Sequence, residues 1–440
     1  MSDPRRAIPR TDALLREPAV AAAAERLGRE RAKDVVTRTL AQARHGALAP
    51  HRVRETVLAR LLDLESSGTT LVPVLNATGV VVHTNLGRAP LAHAAREAVY
   101  AATGYVDVEL DLATGARAGR GRGTLAALRE RVPEAEDALV VNNGAAALLL
   151  ATTALGAGRE VVVSRGEMVE IGDGFRLPAL VESAGARLRE VGTTNRTTVA
   201  DYAEAVGEGT GALLKVHPSN FRVAGFTSAP TVDELADLGR AHGTPLVVDI
   251  GSGLLAHDPL LPDEPDAAST LRAGAGVVTA SGDKLLGGPQ SGLVLGHAPL
   301  VERMRRHPMA RALRVDKLTL AALEATLRGP VPPVPLAVHA RADELEARTR
   351  SLAARLSDRG VGLADPAVVP VEGRVGGGGA PEVPLPGWAV SLPERYAAAL
   401  RLGSPAVLAR LDRGRCLVDL RCVPREQEDA LVEVVVAVGA

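Results

Sequence analysis

The stretch Ser281-Gly282-Asp283-Lys284-Leu285-Leu286-Gly287-Gly288-Pro289-Gln290 sets one lysine in a turn of small residues. The apolar run before it, residues 276–280, has the texture of a buried strand. A lysine carried into the interior by such a strand is desolvated. That disfavours the ammonium form and frees the amine to act as nucleophile or base. The glycines that follow leave room for a ligand. A solvated lysine in a tight turn has the same spacing, so the stretch needs partners elsewhere in the chain.

Two partners stand upstream. Val247-Val248-Asp249-Ile250-Gly251-Ser252-Gly253 ends an apolar strand with a carboxylate, about 35 residues before Lys284. Val141-Asn142-Asn143-Gly144-Ala145-Ala146-Ala147 reads as a strand, a small-residue turn and the opening of a helix. Such a helix start offers backbone N–H groups and a dipole to a phosphate, here from Asn143, Gly144 and Ala145. Pyridoxal phosphate needs these parts together: an amine for its aldehyde, an acid that keeps the ring nitrogen protonated, and an anion cradle. Alone, an Asp at a strand end is often a helix cap. The order phosphate turn, acid, lysine on one alternating sheet is that of fold-type I pyridoxal phosphate enzymes. The chain holds only four lysines. Lys33 falls in an N-terminal helical stretch, Lys317 inside a helical pattern, and Lys215 in a strand with no acid strand before it. Lys284 is therefore the candidate. The scarcity itself matches a bias toward Ala, Arg and Gly codons.

Around these motifs, short apolar runs at 138–141, 160–163, 187–191, 212–216, 245–250, 276–280 and 292–295 alternate with helical patterns. That alternation predicts an α/β fold with a mostly parallel seven-stranded sheet covered by helices on both faces. The last two runs are joined by a short segment, which admits an antiparallel member. Before the sheet, residues 1–65 show apolar positions at helical spacing, broken at Pro18 and across 46–50. After it, Pro330, Pro332, Pro333 and Pro335 mark a linker. The remainder reads as a small α/β domain with one long helix over 337–356, a flexible glycine loop at 376–379 and several short strands. The expected domains are thus 1–65, helical; 66–330, cofactor-binding; and 331–440, small α/β.

Composition sets outer limits. Of 440 residues 46% are hydrophobic and the net charge is −1, which excludes a disordered chain and a bulk polycation. No apolar run is long enough to span a membrane. The first ten residues lack the apolar core of a secretory signal. The only cysteines, Cys416 and Cys422, are too few for a disulfide scaffold or a zinc site, which points to a reducing cytoplasm, no metal and cysteines that act as small buried hydrophobes. Residues 1–65 carry thirteen Lys and Arg against nine Asp and Glu, so a mildly basic module precedes an acidic body. A solvated helical face and a site for an anionic partner both fit that charge.

Further motifs are distinctive. They are Ile8-Pro9 with Asp12-Ala13-Leu14-Leu15, Leu75-Asn76-Ala77-Thr78-Gly79, His83-Thr84-Asn85-Leu86-Gly87-Arg88 and Ser164-Arg165-Gly166-Glu167. Further on come Val191-Gly192-Thr193-Thr194-Asn195, Lys215-Val216-His217-Pro218-Ser219-Asn220 and Arg311-Ala312-Leu313-Arg314-Val315-Asp316-Lys317-Leu318-Thr319. With the Lys284 segment, they make the chain resemble the bacterial selenocysteine synthases, the L-seryl-tRNA(Sec) selenium transferases, over nearly its whole length.

The resemblance implies a pyridoxal phosphate enzyme that turns serine on its dedicated tRNA into selenocysteine, by dehydration to aminoacrylyl-tRNA and addition of selenium from selenophosphate. On this basis Lys284 joins the cofactor and removes the α-proton, and Asp249 holds the ring nitrogen protonated. Ser281 contacts the cofactor phosphate and Ser252 the phenolic oxygen. Arg88, Arg311 and Arg314 match positions that bind the selenophosphate anion; the i, i+3 spacing of the last two suggests one helix face. Arg117 and Arg120 lie in a family-like Gly/Arg segment whose contact could be substrate, cofactor or subunit. The implied partners are seryl-tRNA(Sec), read through shape and backbone by the N-terminal helices, and further copies of the chain in a homo-oligomer, commonly a decamer in the family. Departures from the pattern are Gly144 for a third Asn, and Asp173 for a Gly. No aromatic residue stands ready to stack on the ring; Glu167 and Met168 occupy that neighbourhood. The nearest rival is a lyase on the same scaffold that acts on a free amino acid or phosphorylated amino sugar acid without tRNA. It would keep Lys284 and Asp249 and would usually lack the N-terminal module.

Overall fold

The computed structural model describes residues 8–46, 48–67, 69–170, 172, 174, 176–221, 223–364, 367–381 and 383–439. The chain forms two compact units, Met1–Pro73 and Val74–Ala440. The first is helical: Thr11–Leu15, Pro18–Leu27, Arg29–Arg44 and Val53–Ser67. Pro18 opens its helix at a first-turn position, where a missing N–H costs nothing. Ala32, Val36 and Leu40 recur every four residues, and with Leu14, Val20, Val53, Val57 and Leu61 they form one buried cluster. Arg60 ties two helices together by donating to Thr39 Oγ1 at 2.9 Å and Gln42 Oε1 at 2.8 Å.

The second unit holds two sheets. Its strands in chain order begin with β1 (Val74–Ala77), β2 (Val80–Val82), β3 (Asp137–Val141), β4 (Glu160–Ser164) and β5 (Arg187–Val191). Then come β6 (Thr210–Val216), β7 (Leu246–Gly251), β8 (Val277–Ser281) and β9 (Gly292–Gly296). The last four are β10 (Val368–Gly376), β11 (Pro384–Pro393), β12 (Ala406–Asp412) and β13 (Arg415–Asp419).

The larger sheet has the order β3-β9-β8-β7-β6-β4-β5. All seven expected runs are in it, and β9 is the antiparallel member, paired against both β8 and β3. Alternate residues of each strand enter separate cores. Val162, Leu213, Val248 and Val278 join one with the helices Arg122–Arg131, Val232–His242 and Lys317–Arg328. Val161, Val163, Leu214, Val247 and Val277 join the other with Gly144–Gly156 and Ala298–Arg306. Burial on both faces is why these strands read as unbroken apolar runs.

The smaller sheet runs β1-β12-β13-β11-β10-β2. β1 pairs parallel with β12, and β2 parallel with β10. Residues 74–82, which the sequence reading gave to the large domain, therefore belong to the sheet of the C-terminal strands. Helices Ala342–Asp358 and Glu428–Gly439 cover it through Leu352, Leu356, Leu431 and Val435. The long helix expected over 337–356 is two: Pro333–Val338 ends at His339, and Arg341 re-enters in extended conformation (ψ 138°) as the N-cap of Ala342–Asp358. Cys416 is buried in this core, and burial pushes its thiol up to about 11. Among the described residues no helix is long and apolar enough to cross a membrane.

Candidate active site

Neighbouring parallel strands bring the acid and the lysine together. Asp249 sits near the end of β7, and the register sets Thr279 of β8 beside it. Thr279 Oγ1 donates to Asp249 Oδ1 at 3.0 Å, and the Gly251 N–H reaches the same oxygen at 3.3 Å. Oδ2 accepts from no described residue. Burial pushes the Asp249 carboxyl above the ordinary aspartate range, opposed by the charge of Lys284, these two hydrogen bonds and His217. Lys284 follows β8 by three residues. Its amine makes no hydrogen bond or ion pair with a described residue. Burial holds it below the ordinary lysine range and Arg88 pushes it further down, against Asp249, Asp283 and Glu264.

The anion cradle comes from three strands in a row, since Gly292 of β9 pairs with Val141 of β3 on one side and Ser281 of β8 on the other. Asn143 then caps the helix Gly144–Gly156 with its Oδ1 accepting from the Ala146 N–H at 2.8 Å. The N–H groups of Gly144 and Ala145 have no acceptor among the described residues and are free for an anion. Ser281 Oγ lies so close to this helix start that a Cβ at Gly144 would meet it at 2.4 Å. Glycine here serves close approach, whereas an Asn in its place would displace the serine.

Around these groups stand two residues that the resemblance had given roles, Arg88 and Ser252, and three that it had not, Asp283, Gly378 and Glu264. Arg88 Nη1 pairs with Asp283 Oδ2 at 2.7 Å, and Asp283 is almost wholly buried. Asp283 stood next to the lysine in the decisive motif, so adjacency was the signal. The glycine loop at 376–379, expected to be flexible, packs against Lys284: a Cβ on Gly378, whose φ is +92°, would lie 2.5 Å from Nζ. Ser252 is fully buried and its Oγ has no partner among the described residues. His217 donates its backbone N–H to the Asp249 carbonyl at 2.9 Å, and its Nε2 lies 3.4 Å from Glu264 Oε2. Nothing in the sequence marked Glu264, which is brought in only by the fold.

The arginines divide. The helix Pro308–Ala312 ends before Arg314, so Arg311 and Arg314 do not share a helix face. Leu313 is its C-cap, and Arg314 instead bridges Val141, while the backbone N–H of Asn142 donates to the Leu313 carbonyl at 2.9 Å. Arg314 faces Glu109 at 3.5 Å, as do Arg117 and Arg120 at 3.2 Å each. Arg120 also donates to the Val315 carbonyl at 2.9 Å. Arg311 has no partner among the described residues.

Lys215 is accounted for by structure: it pairs with Glu167 Oε1 at 2.9 Å and donates to the Pro230 carbonyl at 2.8 Å. Glu167 in turn accepts from the Val216 N–H at 2.9 Å, so its carboxylate is committed to the strand. Met168 packs against the apolar core. Asp173 and Phe175 lie outside the described residues. A cavity of about 460 Å³ lined by Lys215, Val248, His217, Glu264 and Ala380 opens beside the site and does not include Lys284.

Two sheets in this order, with lysine, acid and free helix N–H groups at adjoining strand ends, define a fold-type I pyridoxal phosphate enzyme. The chain is similar to the solved structure of D-glucosaminate-6-phosphate ammonia-lyase, with a TM-score of 0.57, 21% identity and coverage of 86% of this chain and 98% of that one, a likeness of fold. The family model of L-seryl-tRNA selenium transferase matches residues 74–424, and that of the selenocysteine synthase N terminal matches 5–44. The L-seryl-tRNA(Sec) selenium transferase of Hyphomonas neptunium is 43% identical, covering 94% of this chain and 95% of its own. That of Moorella thermoacetica is 46% identical over 83% and 81%, and that of Nitratidesulfovibrio vulgaris 52% over 71% and 69%. This chain belongs to the L-seryl-tRNA(Sec) selenium transferase family.

Proposed function

We propose that this chain converts L-seryl-tRNA(Sec) to L-selenocysteinyl-tRNA(Sec) with selenophosphate as donor, using pyridoxal 5'-phosphate. The cofactor, when bound, supplies an electron sink for the pair left at the serine α-carbon. The residues fit that group. The free N–H groups of Gly144 and Ala145, after the Asn143 cap, with Ser281 Oγ beside them suit a phosphate. Asp249 Oδ2 is open to a ring N–H, and the buried Ser252 Oγ is an unmet donor for a phenolic oxygen.

Lys284 acts as the base that takes the α-proton. A depressed amine holds more of its neutral form near neutral pH, as a base requires. Asp249, ionised against a cationic partner, keeps a proton at the ring nitrogen. Arg88, Arg311 and Arg314 receive the donor anion, and the absence of a partner for Arg311 among the described residues supports its part. The N-terminal helices bind the tRNA. A helical module, a cofactor-binding domain and a small α/β domain that also takes in residues 74–82, with a homo-oligomer of decameric type and a cytoplasmic location, complete the proposal.

The observation that carries the reading is the placing of Asp249 and Lys284 at the ends of adjacent strands, β7 and β8. Purified protein should be yellow, with an absorbance band that Lys284→Ala abolishes. A colourless wild type after incubation with the cofactor would overturn it. Deleting residues 1–65 should abolish seryl-tRNA(Sec) binding and leave the band. Unchanged tRNA affinity would favour the lyase alternative.

A further inference from the structure

We infer that Glu264 is a positioning residue that fastens the glycine loop over Lys284; this rests on Lys284 being the cofactor lysine. The side chain of Glu264 is 1% exposed. Its Oε2 accepts the backbone N–H of Ala380 at 2.7 Å, and Oε1 has no partner among the described residues. The other neighbour of Oε2 is His217 Nε2 at 3.4 Å, so the Ala380 N–H is the short bond that this costly buried carboxylate makes. Ala380 carries a φ of +41°, a left-handed conformation that a residue with a Cβ adopts at a cost. The Glu264 bond holds that conformation in place.

What the bond fixes lies immediately before Ala380. A Cβ on Gly377 would stand 2.5 Å from Thr84 Oγ1, one on Gly378 2.5 Å from Lys284 Nζ, and one on Gly379 3.3 Å from Ser252 Cβ. Three successive residues therefore touch the β2 exit, the lysine and the buried serine. Glu264 comes from the connection that follows β7, while the loop comes from the end of β10 in the other sheet. One hydrogen bond thus joins the lysine-bearing part of the unit to the strands that shield it. The loop gives Lys284 a neutral wall with no side chain, which excludes water while leaving the amine room to change partners.

The test uses full-length, cofactor-loaded protein and two readouts. Hydrogen–deuterium exchange reports the amides of 377–381, and release of pyridoxal phosphate by hydroxylamine, followed by absorbance, reports access to the lysine-bound aldehyde. Glu264→Gln keeps an oxygen acceptor and should stay within about twofold of wild type in both. Glu264→Ala should speed exchange of the Ala380 amide by about tenfold or more and hydroxylamine release by about fivefold. Wild-type rates in Glu264→Ala would overturn the proposal, as would Glu264→Gln behaving like Glu264→Ala, which would make the charge rather than the bond decisive. Should Glu264→Ala not fold, the wild-type amide decides: slow exchange at Ala380 supports the clasp, and exchange at the free-peptide rate overturns it. If Lys284 does not hold the cofactor, hydroxylamine releases nothing from wild type, while the exchange readout still stands.

Discussion

Arg88 and Asp283, 195 residues apart, form a 2.7 Å ion pair whose acid is nearly inaccessible while its base remains partly open to solvent. One guanidinium nitrogen is thereby committed, and the others remain for a ligand. Arg88→Ala removes the ion-pair partner of the buried Asp283 and should cost about 3 kcal/mol, measured by urea denaturation. Arg88→Ala with Asp283→Asn should recover part of that loss, and a double-mutant cycle showing no coupling would contradict the pairing.

The contact between Ser281 and the helix start predicts non-additive behaviour. Ser281→Ala removes one donor to a phosphate and should weaken pyridoxal phosphate affinity about tenfold. Gly144→Ala forces a methyl into the serine oxygen and should weaken it at least as much. Combining the two removes the clash, because Ser281 Cβ would lie at an ordinary 3.6 Å, so the double variant should bind better than the product of the single effects. Cofactor titration by absorbance checks this.

Lys284 sets a pH dependence on the apoprotein. Its folded-state pKa is depressed below the unfolded lysine value, chiefly by burial. Below the folded pKa the amine is charged in both states and the penalty is fully present. It shrinks as pH rises between the two values and is gone above the unfolded value of about 10.5. Lys284→Met should therefore raise the thermal midpoint most at neutral pH, with a gain that fades toward pH 10. A gain that grows with pH would reverse the assigned direction.

Arg311 and Arg314 should separate in stability. Arg311→Ala removes an arginine without a described partner and should leave the thermal midpoint unchanged while raising KM for selenophosphate. Arg314→Ala also removes one of three cations around Glu109, whose carboxyl they hold below the usual range, Arg120 foremost. Surface ion pairs contribute little, so its midpoint should fall only slightly. Both should slow selenium addition more than dehydration. Equal loss in both steps would argue against a dedicated anion pocket.

The larger sheet was legible because burial on both faces leaves its strands apolar throughout, and strand–helix alternation implied mostly parallel pairing; the order of the strands came only from the structure. Lys284, Asp249 and the Asn143 turn were legible because each sits at a strand end. Arg314 was misplaced because i, i+3 spacing implies a common face only while the helix continues, and this helix stops at Ala312. The smaller sheet was obscure because β1 and β2 find partners roughly 300 residues away, a pairing no local pattern encodes. Glu264 and Gly378 were hidden for the same reason: each matters only through what tertiary structure sets against it.

That distant pairing bears on synthesis in the cell. β1 and β2 leave the ribosome long before β10 and β12 exist, so their open edges must wait unpaired through translation of the entire seven-stranded sheet. Nascent chains halted before β12 should engage holdase chaperones through residues 74–82, and release should coincide with emergence of the final hundred residues.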